Sequence, residues 1–426
     1  MHIELLRIIS RVLAALVFIC YLYQIVYLFV PFFKKGAPHG GAVMNRYAVL
    51  IAARNEEKVL PYLLESIAGQ DYPGELVDVY VAADNCTDGT ARIAREHGAV
   101  VFERFNTGQV GKGYALSFLL EGIKRAGALD KYDAFLVFDA DNLLRPDYIS
   151  QINRTCSDGY EAFCGYRNSK NFADNWISSG YALWFIHDSV HLNQSRMLLG
   201  TTCAVSGTGF GFRRSLLDRC GGWRFFTLTE DIEFDTWCAT HGVRIGFCRE
   251  AMLYDEQPTS FRRSWRQRTR WVQGGIQVSF RYSRDLLRGI FRGGRVGYAS
   301  FETATLSLWG YGVSALASGL AMACVFLTQR WPGVFFTFCA ALLGMYVSML
   351  LVGALTLLGE WDNINGSTEK KVLGLFSFPL FMLSFIPIAV SAVFRKFSWP
   401  PIEHTVAVPL SSIPSFPERE SKQKEL

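Results

Sequence analysis

The chain has 426 residues, half of them hydrophobic, a formal net charge of only +5 and ten cysteines. So small a charge, with no arginine-rich tail and no RNA-binding motif, excludes nucleic acid as a partner. The cysteines form no C-x-x-C pair and no zinc-finger spacing, so they read as reduced thiols facing a cytosol and not as a disulfide framework.

The apolar residues are unevenly spread, in runs near the start and from about Thr305 onward, with ordinary globular patterning between. This is the pattern of a membrane protein with one inserted soluble domain. Residues 12–33 are long enough to span a bilayer and are followed by Lys34-Lys35, with no small-residue cleavage site before them. They read as an uncleaved anchor in residues 1–33, and the glycine-bearing residues 34–46 as a linker.

Residues 47–53 are a buried strand running into Arg54-Asn55-Glu56-Glu57, followed by a helix over 58–69. A second strand, 77–83, ends in Asp84-Asn85-Cys86-Thr87-Asp88, and a helix over 91–97 and a short strand at 100–102 come next. Gly108-Gln-Val-Gly111-Lys112-Gly113 is glycine-rich but is neither G-x-G-x-x-G nor a Walker loop. Lys112 there either meets a phosphate or is merely solvated.

After a helix over 114–126, Phe135-Leu-Val-Phe138-Asp139-Ala140-Asp141-Asn142 reads as a strand covered on both faces that ends in two carboxylates. With period two, Asp139 and Asp141 leave on one face; two close carboxylates repel unless a cation attends them. Taken alone, so short a motif favours, by roughly two to one, the plainer reading of a strand-to-loop Asp pair capping the next helix. The strand–helix alternation predicts a largely parallel, doubly wound α/β sheet whose ligand sits at the carboxyl ends of the strands.

Further on, Gly207, Gly209 and Gly211 alternate through a weakened strand that lets another backbone or a ligand come close. Thr229-Glu230-Asp231 opens a helix, with Thr229 as its N-cap. His187 and His191 are four apart with no Glu after the first, which favours a structural helix pair over a metal site. The basic run from Arg262 reads as a helix on which Gln267, Arg270 and Trp271 share one face and Arg268 points elsewhere. The same run would suit a basic amphipathic helix on a membrane surface.

Residues 305–327, 334–358 and 372–394 are three more candidate spans. The positive-inside bias puts the soluble domain in the cytosol, and a simple last crossing would put Arg395-Lys396 outside. Pro379 and Pro387 therefore predict that 372–394 is bent, returning a polar tail with Trp399 and His404 to the cytosolic face.

The series Asn55-Glu56-Glu57, Asp84, Asp139-Ala-Asp141, Thr229-Glu-Asp231 and Gln267-x-x-Arg270-Trp271 resembles the membrane-embedded family 2 glycosyltransferases, among them cellulose, hyaluronan and poly-N-acetylglucosamine synthases. The resemblance covers about residues 47–275. It implies a GT-A-like fold between transmembrane helices and inverting transfer of a sugar from a nucleotide diphosphate donor, a UDP-sugar. The acceptor is a growing polysaccharide or, as the alternative, a lipid at the cytoplasmic face of the cell membrane. It further implies Asp231 as general base with Glu230 beside it, and Asn55, Glu57, Asp84, Lys112, Asp139 and Asp141 around the donor. Mg²⁺ or Mn²⁺ would sit on Asp141 and Asp139, and Gln267, Arg270 and Trp271 would serve the diphosphate and the acceptor. Intact Asp139, Asp141 and Asp231 argue against an inactive nucleotide-sugar sensor. One amino-terminal span, where many polymer synthases have more, is a departure. The implied organisation is an anchor (1–33), a linker (34–46), a catalytic domain (47–260), amphipathic helices (261–300), a membrane region (301–394) and a tail (395–426); accessory subunits are left open.

Overall fold

A computed structural model of the chain describes residues 2–36 and 40–395. Eight strands form one sheet: β1 (Tyr47–Ala53), β2 (Val77–Asp84), β3 (Val100–Arg104), β4 (Ala134–Asp139), β5 (Leu143–Leu144), β6 (Ala162–Ser169), β7 (Phe210–Arg213) and β8 (Ile245–Asp255). Their order is β3-β2-β1-β4-β7-β6-β8-β5. β3, β2, β1 and β4 are parallel, as are β6 and β8, while β7 runs antiparallel between β4 and β6. The short β5 pairs antiparallel with β8.

The helices in chain order are α1 (His2–Phe33), α2 (Leu60–Ala68), α3 (Thr90–Glu96), α4 (Lys112–Arg125), α5 (Tyr148–Ser157), α6 (Trp176–His187), α7 (Gln194–Leu199), α8 (Arg214–Cys220) and α9 (Glu230–His241). After them come α10 (Phe261–Arg292), α11 (Gly294–Thr305), α12 (Leu308–Thr328), α13 (Trp331–Gly359), α14 (Thr368–Leu383) and α15 (Phe385–Phe394).

β1 and β4 are continuous apolar runs because helices cover the sheet on both sides. Alternate residues of β1 enter opposite cores: Ala48 and Leu50 join Leu116, Leu119 and Ile123 of α4, while Val49 and Ile51 join Leu60, Leu63 and Leu64 of α2. Each such side chain contributes about 1.5–3 kcal/mol on burial. The connections leave β1 on both sides, to β2 and to β4, so a crevice opens at their carboxyl ends. The C-termini of β6 and β8 and the loop before β7 reach the same edge, since β7 is antiparallel to β4.

Among the described residues, four stretches are long and apolar enough to cross a membrane: Ile3–Phe33, Leu308–Thr328, Trp331–Gly359 and Thr368–Phe394. The last is interrupted at Ser384, between α14 and α15, a residue that itself keeps helical backbone angles. Pro379 sits inside an unbroken α14, and Pro387 removes the donor that would have met the carbonyl of residue 383. The tail with Lys396, Trp399 and His404 lies outside the described residues.

His187 and His191 straddle the junction of α6 with a π-helical stretch, Asp188–Asn193. Burial pushes both imidazoles down, to about 3 and about 4, and leaves them neutral. His191 Nδ1 meets the Leu28 carbonyl at 2.9 Å and so docks α1, while His187 Nδ1 lies 3.4 Å from Thr356 Oγ1 of α13. A buried Arg196–Glu302 ion pair (2.6 Å) ties α7 to α11 nearby.

Candidate active site

The first two strand ends are tied to each other. Asn55 sits in the left-handed region (φ 59°), which asparagine tolerates, and its Oδ1 accepts the Thr87 N–H at 2.8 Å. Glu57 Oε2 accepts the Gly89 N–H at 2.8 Å, and the Glu57 N–H donates to Asp88 at 3.2 Å. Asp84 is buried against Arg104 (2.6 Å) and accepts from Asn85 Nδ2 at 3.0 Å. All three carboxylate or amide side chains read from the sequence therefore line the crevice edge with partners already in place.

At the end of β4 the strand stops at Asp139, and a turn closed by the Asn142 N–H on the Asp139 carbonyl (3.1 Å) carries Asp141 onward. The period-two argument for this pair thus fails: the turn, and not strand alternation, sets where Asp141 goes. Asp141 is 4 % exposed, and its Oδ2 accepts the Glu256 N–H at 3.0 Å. Asp139 faces α4, where Lys112 Nζ donates to its Oδ1 (2.5 Å) and to the Gly207 carbonyl (2.6 Å). Lys112 is therefore held inside the site and not solvated. Its neighbour must be glycine, because a Cβ at Gly113 would overlap the Phe225 carbonyl oxygen. The Asp139 N–H donates to Asn142 Oδ1 (3.0 Å) and Thr208 Oγ1 (2.9 Å), which binds the loop before β7 to the end of β4.

That loop also meets α9. Gly207 has φ +81°, and a Cβ there would stand 3.1 Å from Asp231 Oδ2. Asp231 and the buried Glu230 open α9, where the helix dipole favours anions. Burial pushes both carboxyls above their ordinary values, and the Asp231 charge pushes Glu230 further, while Lys112 and Arg270 pull both back. Thr229 does occupy the N-cap position, but its hydroxyl makes no capping bond. It packs where a Cβ on Gly274 of α10 would overlap it, so close helix packing displaces the expected cap. Glu233 instead accepts the Phe226 and Thr227 N–H groups, each at 2.9 Å.

On α10, Trp271 is boxed edge-on by Tyr181, Trp184 and Phe185 of α6, with centroids 5.8, 5.8 and 6.0 Å away. Gln267 is half-buried, with an Oε1 that meets no partner among the described residues. Arg268 does point elsewhere: it is fully buried at the α14–α15 break, donating to Ser384 Oγ (2.8 Å) and the Phe381 carbonyl (3.1 Å).

Residues 45–274 match the glycosyltransferase-like family 2. The chain belongs to that family. Among its curated relatives, the β-monoglucosyldiacylglycerol synthase of Synechocystis sp. is 28 % identical over 242 residues, covering 55 % of this chain and 49 % of that protein. The poly-β-1,6-N-acetyl-D-glucosamine synthase of Staphylococcus epidermidis is 26 % identical over 236 residues, covering 54 % and 55 %. The chain spans about half the length of the curated relatives it matches. A solved mannosyltransferase from Pyrobaculum calidifontis, in complex with GDP-Man and Mn²⁺, superposes over 92 % of this chain and 100 % of its own with TM-score 0.56 and 19 % identity. The fold is accordingly GT-A-like, with apolar helices flanking the domain.

Two residues beside these side chains escaped the sequence reading. Asp255 ends β8 beside Asp141, and Arg167 on β6 donates to it at 2.6 Å. Burial pushes the Asp255 carboxyl up to about 6; Arg167 opposes this, and the Asp141 and Asp139 charges add to it. The signal was available, since Asp255 ends an apolar run just as Asp139 does. Arg167 could be found only from the register that sets β6 beside β8.

The donor set suits a hard divalent cation: Asp139 and Asp141 offer carboxylate oxygens only, and Asp139 already has the Lys112 ammonium at its Oδ1. No group of three or more metal-binding side chains converges among the described residues. Two carboxylates completed by substrate phosphates are a usual arrangement for Mg²⁺, so the residues fit.

Proposed function

We propose that the chain transfers a sugar from a nucleotide diphosphate sugar, a UDP-sugar, to an acceptor hydroxyl at the cytoplasmic face of a membrane, with inversion. The observation that carries this is the convergence of Lys112, Asp139, Glu230, Asp231 and Arg270 on one sheet edge. A half-buried carboxylate whose proton affinity is raised is suited to accept a hydroxyl proton, and Asp231 takes that role. Lys112 and Arg270 supply positive charge against the leaving diphosphate, Arg270 through a planar fork. Asp139 and Asp141 would hold Mg²⁺ or Mn²⁺, which when bound supplies Lewis-acid stabilisation of that diphosphate. Trp271 presents an apolar face to the acceptor, and Asn55, Glu57 and Asp84 shape the nucleoside end. Residues 47–260 would be the catalytic unit, anchored by the spans on either side in the cell membrane.

The acceptor is a growing polysaccharide; the alternative is a lipid, and the relatives named above divide between the two. The test incubates membranes carrying the protein with a panel of nucleotide sugars and Mg²⁺ or Mn²⁺. Nucleotide diphosphate release is measured first, and product length second. Release with a lengthening product supports the polymer, and release with a single-sugar lipid supports the alternative. No release from any donor would refute the reading.

A further inference from the structure

Arg167 touches three parts of the site at once. Its Nε and a second guanidinium nitrogen hold the Asp255 carboxylate, the former at 2.6 Å. Its Nη1 donates to the Ser206 carbonyl at 2.5 Å. Its Cζ lies 3.6 Å from the centroid of the Phe185 ring.

Each contact leads to a different functional group. Asp255 stands next to Asp141. Ser206 precedes Gly207, whose carbonyl holds Lys112, and Thr208, whose hydroxyl holds the Asp139 N–H. Phe185 is one of the three rings that box Trp271. We propose that Arg167 is a positioning residue that fixes the distance between the carboxylate end of the site and the Trp271 face, so that donor and acceptor meet in register. The inference rests on the reading of the site as a glycosyltransferase centre.

The chemistry of the guanidinium makes this possible. It is planar, with donors around its edge and faces free, so it can serve two acceptors in its plane and a ring below it. A lysine ammonium is a compact point charge with no planar fork for a carboxylate edge and no flat face for a ring, so it cannot reproduce this set of contacts. The competing account is that Arg167 merely neutralises Asp255, since a buried carboxylate left alone is costly. Ser206 and Phe185 are not anions, so neutralisation does not explain two of the three contacts.

The two accounts separate in a pair of variants of the full chain. Arg167→Met keeps bulk but removes all three contacts and leaves Asp255 without its cation. Arg167→Met combined with Asp255→Asn removes the stranded charge as well, which restores the fold if charge is all that matters. Mn²⁺·UDP binding is read by calorimetry, and acceptor KM from initial rates. The single variant should weaken both by about fivefold or more. In the double variant Mn²⁺·UDP binding should recover to within about twofold, while acceptor KM stays raised about fivefold. Phe185→Leu, with Arg167 intact, should reproduce the acceptor defect alone. A double variant whose acceptor KM returned to the wild-type value would overturn the proposal and leave Arg167 as a counter-ion. Wild-type protein that turned over no nucleotide sugar would overturn the functional reading and this inference with it.

Discussion

The two sides of the crevice are built on opposite terms. On the β1–β2 side, Asn55, Glu57 and Asp84 each have a partner within 3.0 Å inside the protein. On the α9–α10 side, Glu230 and Asp231 are pressed together with raised carboxyls, and Thr229 Oγ1 and Gln267 Oε1 meet no partner among the described residues. A satisfied polar group holds shape but has little left to offer a ligand, whereas an unsatisfied or like-charged one stores interaction energy that a ligand can release. The first side therefore reads as a mould for the donor, and the second as the place where bonds change.

If that contrast is right, the largest effects belong to the second side. Asp231→Asn keeps shape but cannot take a proton, and turnover should fall by roughly two to four orders of magnitude with Mn²⁺·UDP affinity little changed. Turnover near the wild-type rate would erase the distinction.

The next effect is on pH. Burial and the Asp231 charge push Glu230 up to about 7, from an ordinary value of 4.5. A carboxyl raised on folding favours the native state below its unfolded value and loses that contribution as pH climbs through its folded value. The thermal midpoint should thus decline from pH 4.5 to 7, by no more than roughly 3 kcal/mol in stability. Glu230→Gln should flatten the decline; an unchanged slope would mean that another group causes it.

Lys112 lies between the two sides, bound to Asp139 and to Gly207. Lys112→Met should lower kcat/KM for the donor by about ten- to a hundredfold, the worth of a charged hydrogen bond. An effect on acceptor KM alone would move Lys112 to the other side of the comparison. The smallest change belongs to Asn55→Gly, which keeps the positive φ without strain and loses the two bonds its Oδ1 accepts from Thr87, one of them long at 3.4 Å, together about 1 kcal/mol. It should lower the melting temperature by a few degrees and leave donor KM within about threefold. A tenfold rise would show that Asn55 grips the donor directly.

The parts legible in the sequence share a physical character. β1, β2 and β4 are apolar enough to be buried wherever they lie, and Gln267, Arg270 and Trp271 share a face by helical spacing alone. Asp139, Lys112 and Asp231 were legible as residue types at strand and helix ends. Unread were features that depend on register across the sheet: the antiparallel β7, the placing of Asp255 beside Asp141, and the reach of Arg167. The expected Thr229 cap failed because the approach of α10 at Gly274 outweighs a local hydrogen bond. The prolines drew attention to the last apolar stretch, but not to an interruption at Ser384, nor to Pro379 fitting within α14, packed as it is against α6 and α13.

Arg268 sits at the Ser384 interruption, on the same 32-residue helix as Trp271. Three residues on a continuous helix span about 4.5 Å and cannot slide past one another. The guanidinium is thus a rivet between the catalytic unit and a helix long enough to cross a bilayer. On the function proposed above, a change of tilt imposed on α14–α15 by a thicker or thinner bilayer would pass through that rivet to Trp271, while the mould formed by β1 and β2, attached elsewhere, would stay where it was.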